Sequence, residues 1–252
     1  MLSVIIIAKN EEANLERCLK SVTWADEIIV LDSGSEDNTI NIAKKYTQKV
    51  YSTDWQGYGI QKQRALAHAT GTWVLNLDAD ECVDEALKEE LLAAITKKNI
   101  DAYRIPIHLH FYGKTRRYSW SPKKHIRLFK REGAHYSNHI VHEAIVLPPQ
   151  ANISSLKQAI QHHCLRDISH ALDKLNLYST YSATIRIKKK ARPSFIKTLL
   201  GAWWMFFRCY FFQGGFLEGR DGLILAILSA QGSFYRGVKI LYPDQTRHLD
   251  QQ

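Results

Sequence analysis

Leu2-Ser3-Val4-Ile5-Ile6-Ile7-Ala8, followed at once by Lys9-Asn10-Glu11-Glu12, is the stretch on which the fold turns. An unbroken apolar, β-branched run has no polar face to offer to water, so it reads as a strand buried on both sides. The residues after it extend the pattern. Leu15, Cys18, Leu19 and Val22 recur at i, i+3, i+4 and i+7, one face of a helix. Glu27–Leu31 reads as a second strand ending at Asp32, 39–45 as a short helix, and Val50–Ser52 as a third strand. Residues 61–69 read as a helix that Gly71 ends, and 73–77 as a fourth strand ending at Asp78. Asp84 suits the N-cap of a helix with Leu87, Leu91, Leu92 and Ile95 on one face. Strands alternating with helices predict an α/β fold, a mostly parallel, Rossmann-like sheet flanked by helices.

After residue 101 the pattern changes. Residues 102–111, 126–129 and 140–146 read as strands, the first two separated by a basic, aromatic loop over 113–124. Pro148-Pro149 ends the last of them, and from Ser169 to Tyr242-Pro243 the chain reads as helical. The predicted organisation is an α/β domain over 1–168, with its pattern changing between 1–101 and 102–168, and a helical C-terminal region over 169–252.

The net charge of the 252-residue chain is +9, unevenly spread. Residues 1–101 carry 17 acids and 11 bases; the remainder carries 8 acids and 23 bases, eight of them between Asp173 and Glu218 with no acid among them. Such a field attracts polyanions, and the plain alternative is a solvated basic surface. Cys18, Cys82, Cys164 and Cys209 are widely spaced, which disfavours a zinc ribbon or disulfide framework and favours a reducing cytoplasm. The N-terminal apolar run meets Lys9 and two glutamates too soon for a signal peptide, and Arg208 interrupts the best candidate for a membrane span.

In an open parallel sheet, ligands bind beyond the carboxyl ends of the strands. Three predicted strand ends carry polar groups: Lys9-Asn10-Glu11-Glu12, Asp32-Ser33-Gly34-Ser35 and Asp78-Ala79-Asp80-Glu81. Two carboxylates at i and i+2, as in Asp78-Ala79-Asp80, can flank one hard cation and leave its other positions to phosphate oxygens. Glycine-rich phosphate loops, a zinc-protease helix motif and a serine nucleophile elbow are all absent, so dehydrogenase, P-loop, zincin and α/β-hydrolase readings lose their support.

The strand-K-N-E-E segment, V-L-D-S-G-S-E-D-N-T (30–39) and W-V-L-N-L-D-A-D-E (73–81) together resemble glycosyltransferase family 2, whose catalytic domain has the GT-A fold. Arg127–Phe129, Val141–Glu143, His162–Asp167, Lys174–Ser179 and Gly215–Leu223 narrow the resemblance to a branch of lipopolysaccharide-core glucosyltransferases that add glucose to inner-core heptose. The resemblance implies a GT-A sheet with a helical, basic and aromatic C-terminal extension. It implies a UDP-sugar donor, a divalent Mg²⁺ or Mn²⁺, and a lipopolysaccharide-core or other glycan acceptor. By it, Asp32 would hold uracil or ribose, with Asn10 and Glu12 in the same pocket; Asp78 would contact ribose and metal, and Asp80 would be the main metal ligand. The family often has a second aspartate where this chain has Ser33, which leaves the base contact to Asp32. Lys62 and Arg64 would reach the diphosphate, or else face water. Glu143 would be the general base, with His142 as fallback and an ion pair to Arg127 as the alternative. His162 would complete the metal site, with His163 as its competitor, while Asp37 would brace the loop after Ser35.

The C-terminal region has Arg186, Lys188, Lys189, Lys190 and Arg192 just before an aromatic stretch containing Trp203, Trp204, Phe206, Phe207, Tyr210, Phe211 and Phe212. Basic and aromatic residues side by side suit an interfacial helix on an anionic inner-leaflet surface; packing on the sheet or a homodimer interface is the alternative. The expectation is a cytoplasmic, membrane-peripheral enzyme that binds no nucleic acid. A related transferase acting on another lipid-linked or protein acceptor would carry the same motifs. A nucleotidyltransferase would want a glycine-rich basic loop after the first strand, and a non-enzymatic lipid- or nucleic-acid-binding protein would leave the strand-end carboxylates without a purpose.

Overall fold

The structure, a computed structural model, describes residues 1–118, 124–137, 144–163, 165, 167–190 and 193–243. The chain forms two compact units, Met1–His108 with Lys123–Cys164, and Leu109–Pro122 with Leu165–Gln252.

The first unit begins with β1 (Leu2–Ala8), α1 (Leu15–Lys20), β2 (Glu27–Asp32), α2 (Thr39–Lys44), β3 (Val50–Ser52) and α3 (Tyr58–His68). It continues with β4 (Trp73–Asp78), β5 (Glu81–Cys82), α4 (Glu85–Ala94) and most of β6 (Ala102–Phe111). After β7 (Lys114–Arg116), which belongs to the second unit, come β8 (Lys124–Lys130), β9 (His135–Tyr136), β10 (Ile145–Val146), β11 (Ile153–Ser155) and β12 (Ile160–His162).

The two-sided burial of β1 is observed. Leu2, Val4, Ile6 and Ala8 enter one apolar core with α1 and α4, while Ile5 and Ile7 enter a second with α3. The sheet runs β3-β2-β1-β4-β8-β6. Its first four strands are parallel, and β8 then enters antiparallel to both β4 and β6. The α/β reading therefore holds, with the four adjacent parallel strands in the N-terminal half and one further parallel pair, β11 with β6. The chain leaves β1 toward β2 and β3, then returns to β1's other side at β4. This reversal opens the crevice where α/β sheets bind ligands. The register pairs Ala8 with Asp32 and Ile7 with Asp78, so an aspartate ends the strand on either side of β1.

Several elements depart from expectation. Helix α3 starts at Tyr58 rather than Gln61, because Gly57 takes φ +104° and turns the chain into the helix early. Leu92 points outward, 41% exposed; the inner stripe of α4 is Leu87, Leu91 and Ala94. β11 and β12, three residues each, are too short to show an alternating pattern. Of the strand expected over 140–146, residues 140–143 lie outside the described residues and 145–146 form β10.

In the second unit, the end of β6 turns through Tyr112 (φ +47°) and Gly113 (φ +73°) into β7, which pairs with it antiparallel. Two successive positive φ values are what a tight two-residue hairpin needs, and the expected loop is in part this hairpin. The helices are α5 (Ile168–Lys188), α6 (Phe195–Phe207) and α7 (Gly219–Leu241); a π-helical turn, Arg208–Phe212, and a 3₁₀ turn, Gly215–Glu218, join the last two. Lys239 Nζ on α7 donates to Asn176 O, Ser179 Oγ and Thr180 Oγ1 of α5. Arg116 of β7 is ion-paired with Asp221 of α7.

Candidate active site

The loops after β1 and β2 are knitted together by their own polar residues. Asp32 is fully buried, and its Oδ2 accepts the N–H groups of Gly34 and Ser35 at 2.9 Å each while the Ser35 hydroxyl donates to Oδ1. Asn10, at φ +55°, accepts the Glu36 N–H at 2.9 Å and donates its own N–H to Ser35 Oγ at 2.8 Å. Glu12 Oε2 accepts the Asn38 N–H, and the Glu12 N–H donates to Asp37, 3.1 Å in each case. Asp37 also accepts the Thr39 N–H at 3.0 Å, so its carboxylate braces this loop. Asn10, Glu12 and Asp32 thus converge on one loop pair. Asp32 acts there by folding the 33–35 turn beneath the crevice. Gln61, which sequence reasoning missed, donates from its buried amide to Ser33 Oγ at 2.8 Å and anchors α3 to the same turn.

Asp78 is the electrostatic centre of the site. Its Oδ1 lies 3.0 Å from Lys62 Nζ and its Oδ2 accepts from Arg127 Nη2 at 2.9 Å. Lys62 is buried on α3, so the water-facing reading of that side chain fails. Arg64, two residues further along α3, instead pairs with Asp54 at 2.9 Å. Arg127 Nη2 also donates to Glu81 Oε1 at 2.8 Å, and Glu81 Oε2 accepts the Asp78 N–H at 2.9 Å. Burial pushes the Asp78 carboxyl up, but the Arg127 and Lys62 charges outweigh it and hold it far below the usual carboxylate range. Burial pushes the Glu81 carboxyl up against the pull of Arg127. Arg127 Nε and Nη1 are buried with no hydrogen-bond partner among the described residues. Sequence reasoning placed Glu81 only among the polar groups after the fourth strand and Arg127 only as an alternative partner of Glu143, and missed their pairing. The available signal for Arg127 was an arginine beside the apolar Ile126, Leu128 and Phe129, where an unpaired charge is costly.

Asp80 meets a different partner. Antiparallel pairing of β12 with β5 sets His162 opposite Glu81 and Gln161 opposite Cys82. This brings His162 Nε2 to 3.2 Å from Asp80 Oδ2. The neighbouring His163 turns to Cys82, Nε2 to Sγ 3.4 Å, while its N–H donates to the Asp80 carbonyl at 2.8 Å. Of the two histidines, His162 is the one beside the Asp80 carboxylate. Among the described residues no group of three or more His, Cys, Asp or Glu is arranged to hold a metal ion. The donor pair Asp80 and His162 suits a divalent cation that completes its shell with oxygens of an incoming diphosphate. Both Asp78 oxygens already face cationic nitrogens. Glu143 and His142 lie outside the described residues.

The family model for glycosyl transferase family 2 matches residues 3–147, more than half of the chain. The chain belongs to this family. An uncharacterized glycosyltransferase of Rickettsia bellii is 33% identical over 95% of this chain and 85% of its own length. The lipopolysaccharide core biosynthesis glycosyltransferase LpsC of Rhizobium meliloti is 32% identical over 93% of this chain and 92% of its own. Both alignments run beyond the family model, so the similarity to these relatives extends into the C-terminal region as well. Among solved structures, Staphylococcus aureus TarS 1–349 in complex with UDP-GlcNAc is 17% identical over 97% of this chain and 92% of that one, with a TM-score of 0.48. The protein is therefore a glycosyltransferase, and the strand-end carboxylates lie within the family 2 match.

Proposed function

We propose that the protein moves a hexose, glucose from UDP-glucose being the favoured donor, onto an inner-core heptose of lipopolysaccharide or lipooligosaccharide, inverting the anomeric centre. The observation that carries this reading is the meeting of Asp80 and His162 at 3.2 Å, on the stretch where Asp78 is held by Lys62 and Arg127. The acceptor class rests on the similarity to LpsC; a different lipid-linked or protein acceptor would use the same donor site. The proposed place of work is the cytoplasmic face of the inner membrane, bound peripherally. No helix among the described residues is long and apolar enough to cross a membrane.

In this reading Asn10, Glu12 and Asp32 shape the pocket for uracil and ribose, and Asp78 orients the ribose. Asp80 and His162 hold the divalent metal, which when bound neutralises the diphosphate and makes UDP a better leaving group. Asp78 would be a further ligand of that metal, and Lys62 would reach the diphosphate. Glu143 takes the proton of the acceptor hydroxyl as that oxygen forms its bond to the anomeric carbon. The bond from that carbon to UDP breaks on the opposite face, and UDP departs with the electron pair. Residues 1–101 would carry the donor, 102–168 the acceptor sugar, and 169–252 the docking surface.

Calorimetric titration of UDP with Mn²⁺ and with chelator tests the donor site. Metal-dependent micromolar binding is expected, followed by transfer from UDP-glucose in a donor and acceptor screen. No UDP binding in either condition would overturn the reading.

A further inference from the structure

Helix α6 is packed inside out for a protein in water. The side it turns to α7 is made of small residues. Thr198 is buried, and a methyl group added at Gly237 of α7 would meet its Cγ2 at 2.4 Å, so the two backbones approach closely there. One turn further on, Gly201 of α6 faces Ser233 of α7. The bulky apolar residues point the other way: Ile196 is 68% exposed, Leu200 63%, Trp203 64% and Trp204 58%. Trp203 stacks on Phe207 at 5.8 Å and Phe207 on Phe211 at 5.4 Å, an aromatic ladder running from the helix into the π-helical turn. A helix on a soluble protein buries its large apolar side chains and exposes polar ones. Small residues against protein and large ones outward is how helices pack when lipid is the solvent.

The charges around this face indicate which apolar phase covers it. Lys197 and Arg208 are exposed at the two ends of α6, and Arg186, Lys188, Lys189 and Lys190 are exposed at the end of α5. No acid occurs between Asp173 and Glu218. A second copy docking on the same patch would set these cations against their own equivalents, a repulsive arrangement for a two-fold interface. Anionic headgroups complement them. Thirteen residues of α6 span about 20 Å along the axis, short of the roughly 30 Å hydrocarbon core, so the helix would lie in the interface and not cross it.

We infer that α6 and the π-helical turn after it form an interfacial anchor. The face bearing Ile196, Leu200, Trp203, Trp204 and Phe207 enters the headgroup boundary of an anionic bilayer, and the lysines at the end of α5 bind its phosphates. The inference rests on the membrane-peripheral part of the proposed function and specifies the surface that performs it. It is independent of which sugar is transferred.

The test uses the full-length chain in flotation with vesicles of phosphatidylcholine alone and of phosphatidylcholine with phosphatidylglycerol. The wild type should float with the anionic vesicles. Combined Ile196→Ser, Trp203→Ser and Trp204→Ser, all at exposed positions, should lower partitioning at least tenfold while UDP binding and thermal midpoint are unchanged. Combined Lys188→Glu, Lys189→Glu and Lys190→Glu should abolish the preference for anionic over neutral vesicles and its salt sensitivity. Wild-type flotation that the serine substitutions leave unaltered would overturn the anchor assignment and leave the peripheral reading standing. Failure of the wild type to float, with or without a concentration-dependent dimer that the serine variant breaks, would overturn both. Since UDP binding is measured on the same samples, neither outcome is confused with failure of the donor site.

Discussion

Arg127 and Asp78 meet at 2.9 Å through a single guanidinium nitrogen that also holds Glu81 at 2.8 Å, so one buried arginine keeps two acidic groups of the site in place. Without that cation Asp78 and Glu81 would be like charges held together, since the Glu81 carboxylate already accepts the Asp78 N–H. Removing one partner of a buried ion pair costs about 3–5 kcal/mol, because the other charge is left uncompensated. Arg127→Ala should therefore lower the unfolding free energy in urea by roughly this amount. Arg127→Ala with Glu81→Gln in the same chain should recover part of it. A loss under about 1 kcal/mol for the single substitution would mean that Arg127 is not the counter-ion of the cluster.

Asp80 and His162 share a task that Asp78 cannot perform while Lys62 and Arg127 occupy its oxygens. Asp80→Asn and His162→Ala should each weaken the Mn²⁺-dependent part of UDP binding by about tenfold or more, about 1.4 kcal/mol, with the thermal midpoint of the free protein little changed. Calorimetry with Mn²⁺ and with chelator reads this directly. Equal UDP affinity in wild type and variants under both conditions would remove the pair from the metal site. The same measurement on His163→Ala should show no change, because His163 faces Cys82.

The contrast between these residues explains how much of the site could be read from sequence. Asp32, Asp78 and Asp80 are legible because each lies at or just beyond the end of a predicted strand, and a parallel sheet presents its strand ends to the ligand. His162 could be named only through resemblance to a family; it reaches Asp80 through the β5–β12 pairing, which joins segments some eighty residues apart and has no local signature. Arg127 and Lys62 were visible as charges, but their burial against Asp78 is a tertiary fact. The fold followed the same rule. Continuous apolar runs such as Leu2–Ala8 and 73–77 identified buried strands, and the Asp84 cap of α4 accepts from the Leu87 N–H at 2.9 Å as expected. The three-residue strands β11 and β12 carry too few residues to impose a period, and the antiparallel entry of β8 is a long-range pairing with no local signature.

Glu143 as general base predicts a separation of binding from chemistry. Glu143→Gln keeps the shape and removes the basic oxygen, so transfer should slow by about 10²–10⁴-fold while UDP affinity and donor KM stay within about twofold. His142→Ala should affect transfer less. If UDP affinity falls together with kcat, Glu143 belongs to the donor pocket, and the base must be sought elsewhere.

Far from the site, at the opposite end of the parallel strands, Glu27 contributes to the acid limit of the fold. Its carboxylate is buried, ion-paired with Lys49, bonded by the Ser3 hydroxyl, and accepts the Thr70 N–H at 2.9 Å and the Thr70 hydroxyl at 3.0 Å. Burial alone would raise its pKa, but the hydrogen bonds from Lys49, Ser3 and Thr70 together overcome it and bring it down to about 2, from an ordinary value of 4.5. A carboxyl depressed in the folded state stabilises the fold fully above its unfolded pKa, and the stabilisation is lost as pH falls toward the folded value. The window is therefore about pH 4.5 to 2, and the full linkage is on the order of 3 kcal/mol. Glu27→Gln should lower stability at pH 7 and flatten the acid limb of a stability–pH curve measured by urea unfolding. An acid limb as steep in the variant as in the wild type would assign the acid sensitivity to other carboxylates.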